Sequence, residues 1–336
     1  MERKQLLERW LQDQFPAQPF TLQPASADAS FRRYFRAALG DRTFIVMDAP
    51  PQREDCTPFL RVAEILAASG VHVPEILAQN LDLGFLLLSD LGNTTFLQAL
   101  SDQPGDASQL YGEAMDALIS MQLSHQAENL PAYDEALLQR ELDLFPDWYI
   151  AKHLQADLSE QQQAVLRAVF ARILQNNLAQ PRVLVHRDYH SRNLMVASPN
   201  PGVIDFQDAV FGPVTYDLVS LFKDAYIRWD EERILDWTIR YWEKARKAGL
   251  PVAADFAEFY RDFEWMGVQR HLKVLGIFAR LNYRDGKANY LNDMPLVMEY
   301  LRKACERYRE LHPLLNLLDE LHPDPVESGQ KVGYTF

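Results

Sequence analysis

At 336 residues the chain has room for one large domain or two packed lobes, and 48% apolar with 24% charged residues describes a globular protein, not a low-complexity one. Its 47 acidic against 34 basic residues give a formal charge of -13, which argues against a nucleic-acid partner, and no run is apolar enough to suggest a membrane span. Two widely separated cysteines, Cys56 and Cys305, suggest neither a disulfide framework nor a metal cluster, so a reducing cytoplasmic setting is expected.

Met1 to Phe15 places Leu6, Leu7, Trp10 and Leu11 among charges at helical spacing, which predicts a first helix and not a secretory signal. Phe31 to Ala37 and Thr43 to Met47 are short apolar runs around Gly40-Asp41, the pattern of a hairpin. Pro58 to Ala68 reads as a helix capped by Gly70; Glu75 to Gln79 and Gly84 to Leu88 read as strands, the second ending at Ser89-Asp90-Leu91-Gly92. From Phe96 onward the periods are helical, as in Leu110 to Gln122, Glu135 to Leu144 and Ser159 to Leu178, with Ser159 a candidate N-cap. Two β-branched runs, Arg182 to His186 and Pro201 to Asp205, interrupt the helices. The expected class is α+β: a small β-rich lobe over residues 1–91, a larger helical lobe over 92–322, and a loose tail over 323–336.

The polar loop between those two runs carries the chemistry. His186-Arg187-Asp188-Tyr189-His190-Ser191-Arg192-Asn193 matches the phosphotransferase pattern His-Arg-Asp-x-x-x-x-Asn, and Ile204-Asp205-Phe206 follows where a metal-binding Asp-Phe pair belongs. A hydroxyl attacking a phosphoryl group loses its proton to a nearby carboxylate, a role for Asp188, with His186 bracing the loop. Magnesium takes oxygen ligands and keeps several waters, so Asn193 and Asp205 with triphosphate oxygens suit it. Each residue alone could be a polar turn or strand-end cap; the joint spacing favours an ATP- and Mg2+-dependent kinase.

On these residues, with Asp205-Phe-Gln-Asp-Ala and Gly212-Pro-Val-Thr-Tyr-Asp217-Leu, the chain resembles the aminoglycoside phosphotransferase and choline kinase branch of the bilobal protein-kinase-like fold. The resemblance implies that His190 acts as a cation beside the transferring phosphoryl group, and that backbone groups of Ser89, Asp90 and Leu91 hold the adenine. Asp217 would bind the catalytic-loop backbone, though a helix N-terminal carboxylate is an equal reading. Asp28 to Arg36, Met47 to Pro51, His186 to Met195, Asp205 to Leu221 and Gln269 to Leu281 bring it nearer to the cell-wall-recycling sugar kinases. Those phosphorylate the anomeric hydroxyl of N-acetylmuramate and N-acetylglucosamine, which implies a small amino-sugar partner and a role in peptidoglycan recycling.

The family pattern is not complete. Ser26-Ala-Asp-Ala-Ser30 stands where a glycine-rich phosphate loop is expected, and the strand lysine would fall near Met47, in a run without lysine. Its glutamate partner would fall near Phe59, as if the ion pair were replaced as a unit. Ser30 and either Arg32 or Arg33 are then the candidate phosphate contacts. In the helix Glu264 to Leu281, Gln269, Lys273, Gly276 and Arg280 share a stripe that reads as a solvated face. Arg270 and His271 fall among apolar residues and need either structural partners or an anionic substrate group; Asp208 is a sugar contact or a loop cap. An aminoglycoside or choline-type acceptor is the alternative with the same chemistry, and a nucleotide-binding pseudokinase the alternative without it.

Overall fold

In the computed structural model, which describes residues 3–16, 18–27 and 31–322, helix α1 (Arg3–Gln14) precedes strands β1 (Thr21–Ala27), β2 (Arg33–Leu39) and β3 (Arg42–Asp48). Helix α2 (Thr57–Ala68) and strands β4 (Ile76–Asn80) and β5 (Phe85–Ser89) follow, then helices α3 (Phe96–Asp102), α4 (Ala107–Gln122), α5 (Glu135–Leu142) and α6 (Glu160–Ala179). Short strands β6 (Arg182–Val185), β7 (Leu194–Met195), β8 (Gly202–Val203) and β9 (Val210–Pro213) lead to helices α7 (Tyr216–Phe222), α8 (Glu231–Ala248), α9 (Phe256–Tyr283), α10 (Met294–Arg307) and α11 (His312–Leu321). The α+β class read from the sequence holds, and the expected tail lies outside the described residues.

Contacts group the chain into two compact units, Met1–Ala132 with Pro181–Ala254 and Tyr133–Gln180 with Asp255–Phe336. The sequence boundary at residue 91 falls inside the first unit. Backbone hydrogen bonds explain the grouping: Val203 donates to His72, Val196 to Thr94 and Leu97 to Ser191, which ties residues 191–203 to the segments before β4 and after β5.

In the first unit, β1 to β5 form an antiparallel sheet in the order β1-β2-β3-β5-β4. Alternation sorts its residues onto two faces. Ala37, Leu39, Phe44, Val46, Phe85 and Leu87 pack on Leu7, Trp10 and Leu11 of α1, each buried large side chain contributing about 1.5–3 kcal/mol. The intervening residues Tyr34, Arg36, Ile45 and Leu88 line a cavity on the other face. Pro24, which has no N–H to donate, sits on edge strand β1 beside a register shift, where the ladder can spare it. Gly84 is required by the turn before β5: its φ is +68°, and a Cβ there would lie 1.8 Å from the Ala49 carbonyl oxygen.

The runs 182–186 and 201–205 do not pair with each other. β6 pairs with β9 and β7 with β8, so the loop 186–193 leaves one two-stranded ribbon and enters a second.

The second unit is built on α9, against which α5, α6 and α10 pack. The Ser159 hydroxyl accepts from the Gln162 N–H while the Gln162 side chain accepts from the Ser159 N–H, a capping box worth about 1 kcal/mol that starts α6. The predicted helix to Leu144 instead ends at Leu142, and a π-helical stretch, Phe145–His153, follows. The stripe expected to face water is a correction: Gln269, Lys273 and Gly276 are buried. Lys273 Nζ reaches Glu141 Oε1 at 2.9 Å, and Gln269 and the Tyr133 hydroxyl both donate to Oε2. Gly276 has no room for a side chain, since a Cβ would lie 2.4 Å from the Leu144 backbone. Among the described residues, no helix is long and apolar enough to cross a membrane.

Candidate active site

Val185 ends β6 inside the core, and the chain then turns through Arg187 at φ +76°, a left-handed conformation that costs a side-chain-bearing residue about 1–3 kcal/mol. Asp217, on the first turn of α7 and wholly buried, holds that turn: its carboxylate accepts from the His186 N–H at 2.6 Å and the Arg187 N–H at 2.9 Å. The His186 ring spans the loop, with Nε2 3.0 Å from the Ile204 carbonyl and Nδ1 accepting from the Asp188 N–H at 3.3 Å. That arrangement places the ring proton on Nε2, since a carbonyl only accepts. The Tyr189 hydroxyl donates to the Ala114 carbonyl at 2.9 Å, and Ser191 donates its N–H and hydroxyl to the buried Asp224. Asp188 is thereby carried on a backbone pinned from both sides.

Asn193 closes the loop. Its Nδ2 donates to the Asp188 carbonyl at 3.0 Å and to Asp205 Oδ2 at 3.3 Å, which leaves Oδ1 as the oxygen it offers a cation. Asp205 has a left-handed φ of +64° and an exposed side chain, and Gln207 Nε2 donates to its Oδ1 at 2.9 Å. Phe206, buried behind it, packs on Phe59 of α2 with ring centroids 4.9 Å apart.

Asn193 and Asp205 line one side of a cavity of about 480 Å³ whose other side is the sheet face described above. Ile45, Leu88, Met195 and Ile204 all line it and make it an apolar slot. Ser89, Asp90 and Leu91 border the slot; the Asp90 carbonyl and Leu91 N–H make no hydrogen bond among the described residues. Arg36 forks onto the Asp90 carboxylate at 2.6 and 3.0 Å and also donates to the Gly92 carbonyl. Burial opposes the Asp90 charge, but bonds from Arg36, Thr43 and the Gly92 N–H outweigh it and keep the carboxyl below its ordinary range.

The predicted residues fall into groups. His186, Asp188, His190, Asn193, Asp205 and Asp217 belong to one linked set of loops, and Ser89, Asp90 and Leu91 share a cavity with Asn193 and Asp205. Arg32 lies 3.5 Å from Glu54, and Arg33 pairs with Asp48, which Arg3 also engages; neither lines the cavity. The cavity's β2 residues are Tyr34 and Arg36, an outcome the apolar alternation Phe35, Ala37, Leu39 signals in the sequence. Ser30 lies outside the described residues. Met47 is fully buried within β3, two residues from Ile45 on the same face. Asp208 is exposed, its carbonyl 3.5 Å from Arg187 Nη1. Arg270 and His271 are buried in the second unit, His271 stacked on Tyr300. Arg36, Arg192, Asp224 and Tyr226 were not singled out by the sequence, because their significance depends on residues brought together by folding.

The model of the phosphotransferase enzyme family matches residues 21–263. The chain belongs to that family. Among related phosphotransferases, a Pseudomonas aeruginosa protein named N-acetylmuramate/N-acetylglucosamine kinase is 55% identical over 303 residues, spanning 90% of this chain and 89% of its own. A Neisseria meningitidis protein of the same name is 49% identical over 339 residues, the full length of both. The crystal structure of a putative aminoglycoside phosphotransferase from Ralstonia eutropha superposes with a TM-score of 0.62 at 15% identity, covering 90% of this phosphotransferase and 98% of that chain, which shows a shared fold.

Proposed function

We propose that this phosphotransferase uses ATP and Mg2+ to phosphorylate the anomeric hydroxyl of N-acetylmuramate and N-acetylglucosamine, giving the sugar 1-phosphates in the cytoplasm during peptidoglycan recycling. The observation that carries the chemistry is the joint placement of Asp188, Asn193 and Asp205 beside a nucleotide-sized cavity. Support for the acceptor comes from the name shared by relatives at 49% and 55% identity. Asn193 Oδ1 and the Asp205 carboxylate are hard oxygen donors, and no group of three His, Cys, Asp or Glu forms a metal cluster among the described residues. That donor set fits Mg2+, which takes its remaining ligands from water and phosphate oxygens and, when bound, offsets the charge of the triphosphate.

In this reading the adenine lies in the slot lined by Ile45, Leu88, Met195 and Ile204, its edge meeting the Asp90 carbonyl and Leu91 N–H. Asp188 accepts the C1 hydroxyl proton as that oxygen bonds to the γ-phosphorus, and the bond from γ-phosphorus to the bridging oxygen breaks to release ADP. His190, packed edge-on to Tyr226 at 5.4 Å, supplies a hydrogen bond to the transferring phosphoryl group. Asp217 and His186 hold the loop in register for this transfer. Asp208, exposed just past Asp205, remains the proposed sugar contact on this unit.

The test offers ATP and Mg2+ with N-acetylmuramate, N-acetylglucosamine, choline and kanamycin in parallel, reading product structure by phosphorus NMR. A phosphate on C1 of the amino sugars is expected, and Asp188→Asn lowers kcat by ~10²–10⁴-fold. Turnover of choline or kanamycin alone refutes the acceptor, and nucleotide binding without turnover refutes the kinase.

A further inference from the structure

A nucleotide triphosphate and N-acetylmuramate each bring an oxyanion to the site, the second through a lactyl carboxylate that N-acetylglucosamine lacks. Protein kinases meet the phosphate charge with a strand lysine braced by a helix glutamate. Met47 and Phe59, near which the sequence pattern would put that pair, are apolar and buried. Among the described residues, the cations lining the cavity are Arg36 and Arg192. Arg36 is neutralised by its two-pronged bond to Asp90 and anchored further by the Gly92 carbonyl. Arg32 and Arg33, opposite Glu54 and Asp48, lie off the cavity.

Arg192 differs in position and in support. It directly precedes the proposed magnesium ligand Asn193, and its guanidinium carbon stands 3.6 Å from the centroid of the Tyr226 ring. Such a contact uses the face of the guanidinium, whereas its N–H bonds lie in the plane and point to the edge, so stacking and oxyanion binding are compatible. Tyr226 is itself fixed: its N–H donates to Asp224 Oδ1, and the other oxygen of that buried carboxylate receives Ser191 of the catalytic loop. His190 meets the same ring edge-on, so one aromatic side chain orients two basic residues of the loop.

We propose that Arg192 binds an oxyanion in this site and that Tyr226 is the positioning residue that holds it, an inference that rests on the kinase reading. The phosphates of the nucleotide and the carboxylate of the acceptor share the required chemistry, and the two amino sugars separate them. ATP affinity is measured by calorimetry without acceptor, and KM for each sugar at saturating ATP, in wild type, Arg192→Ala, Arg192→Lys, Tyr226→Leu and Tyr226→Phe. The surface variant Arg240→Ala controls for the lost charge.

The expected result for Arg192→Ala is a ~10- to 100-fold loss confined to one ligand, the size of a charge-assisted hydrogen bond. A loss in ATP affinity assigns the nucleotide phosphates. A rise in KM for N-acetylmuramate with that for N-acetylglucosamine unchanged assigns the carboxylate. Arg192→Lys recovers part of the loss, Tyr226→Leu reproduces part of it, and Tyr226→Phe, which keeps the ring, does not. ATP affinity and both KM values within about twofold of wild type, or a fall in kcat alone, overturn the proposal. If neither sugar is a substrate, the acceptor reading fails separately, and unchanged ATP affinity in Arg192→Ala then overturns the role of Arg192.

Discussion

Replacing Asp217 tests whether the proposed catalytic loop is held by one buried carboxylate. That carboxylate accepts from two backbone N–H groups, of His186 at 2.6 Å and Arg187 at 2.9 Å, and is 0% exposed, so water does not compete for it. Hydrogen bonds to a charged group contribute about 1.5–3 kcal/mol each, so Asp217→Ala costs about 3–6 kcal/mol. Asp217→Asn keeps one accepting oxygen and turns an NH2 toward the other donor, for a loss of about 2–5 kcal/mol. The catalytic effect is separate from the stability effect. Without the clamp the left-handed turn at Arg187 loses two of the bonds that hold it, and Asp188 follows directly, so displacement by about 1 Å lowers kcat ~10²-fold. Urea unfolding followed by tryptophan fluorescence gives the first number, and turnover at saturating substrates, under conditions where the variant is folded, gives the second. An Asn variant with the wild-type urea midpoint and wild-type kcat would refute the clamp.

The Arg36–Asp90 pair predicts a pH dependence. The Asp90 carboxyl is held below its ordinary 3.8, so its contribution is present above the unfolded pKa and lost as pH falls through the lower folded value. Asp90→Asn is therefore expected to destabilise equally at about pH 7 and about pH 5, with the gap narrowing only as pH falls below the ordinary 3.8; a gap already closed at about pH 5 contradicts the assignment. Gly276→Ala forces a Cβ toward the Leu144 backbone and should cost about 1–3 kcal/mol, read as a lower thermal midpoint, whereas an unchanged midpoint shows that the close approach is absent. Burial pushes the Cys305 thiol up to about 12 and raises Cys56 as well, so neither should react with a thiol reagent at about pH 8 until denaturant is added. Rapid labelling of either in the native protein would contradict its burial.

The proposed site residues could be picked out because they are neighbours in sequence: a loop of eight residues carries its own spacing from His186 to Asn193, and Asp205 follows one ribbon later. The hairpin, the helix after it and the Ser159 cap were legible for the same reason, being local patterns. What failed depended on distant partners. The choice between faces of β2 is made by α1 docking on Ala37 and Leu39, which sends Tyr34 and Arg36 to the cavity and leaves Arg33 at the strand end with Asp48. The polar stripe of α9 looked solvated because Glu141, the partner of Lys273 and Gln269, lies more than a hundred residues earlier in the chain. A buried charge is acceptable only when paired, and a sequence does not announce its pairs.

The contact of Phe59 with Phe206 bears on how this enzyme can be controlled. Where a lysine–glutamate bridge joins strand to helix, a new charge or a displaced helix can compete for either partner and open the joint. Two apolar rings buried to 4% and 0% exposure present no charge to compete for, and salt does not screen their association. The helix is fastened to the segment bearing Asp205 by volume, not by sign. Such a joint responds to a change of side-chain size and ignores ionic strength.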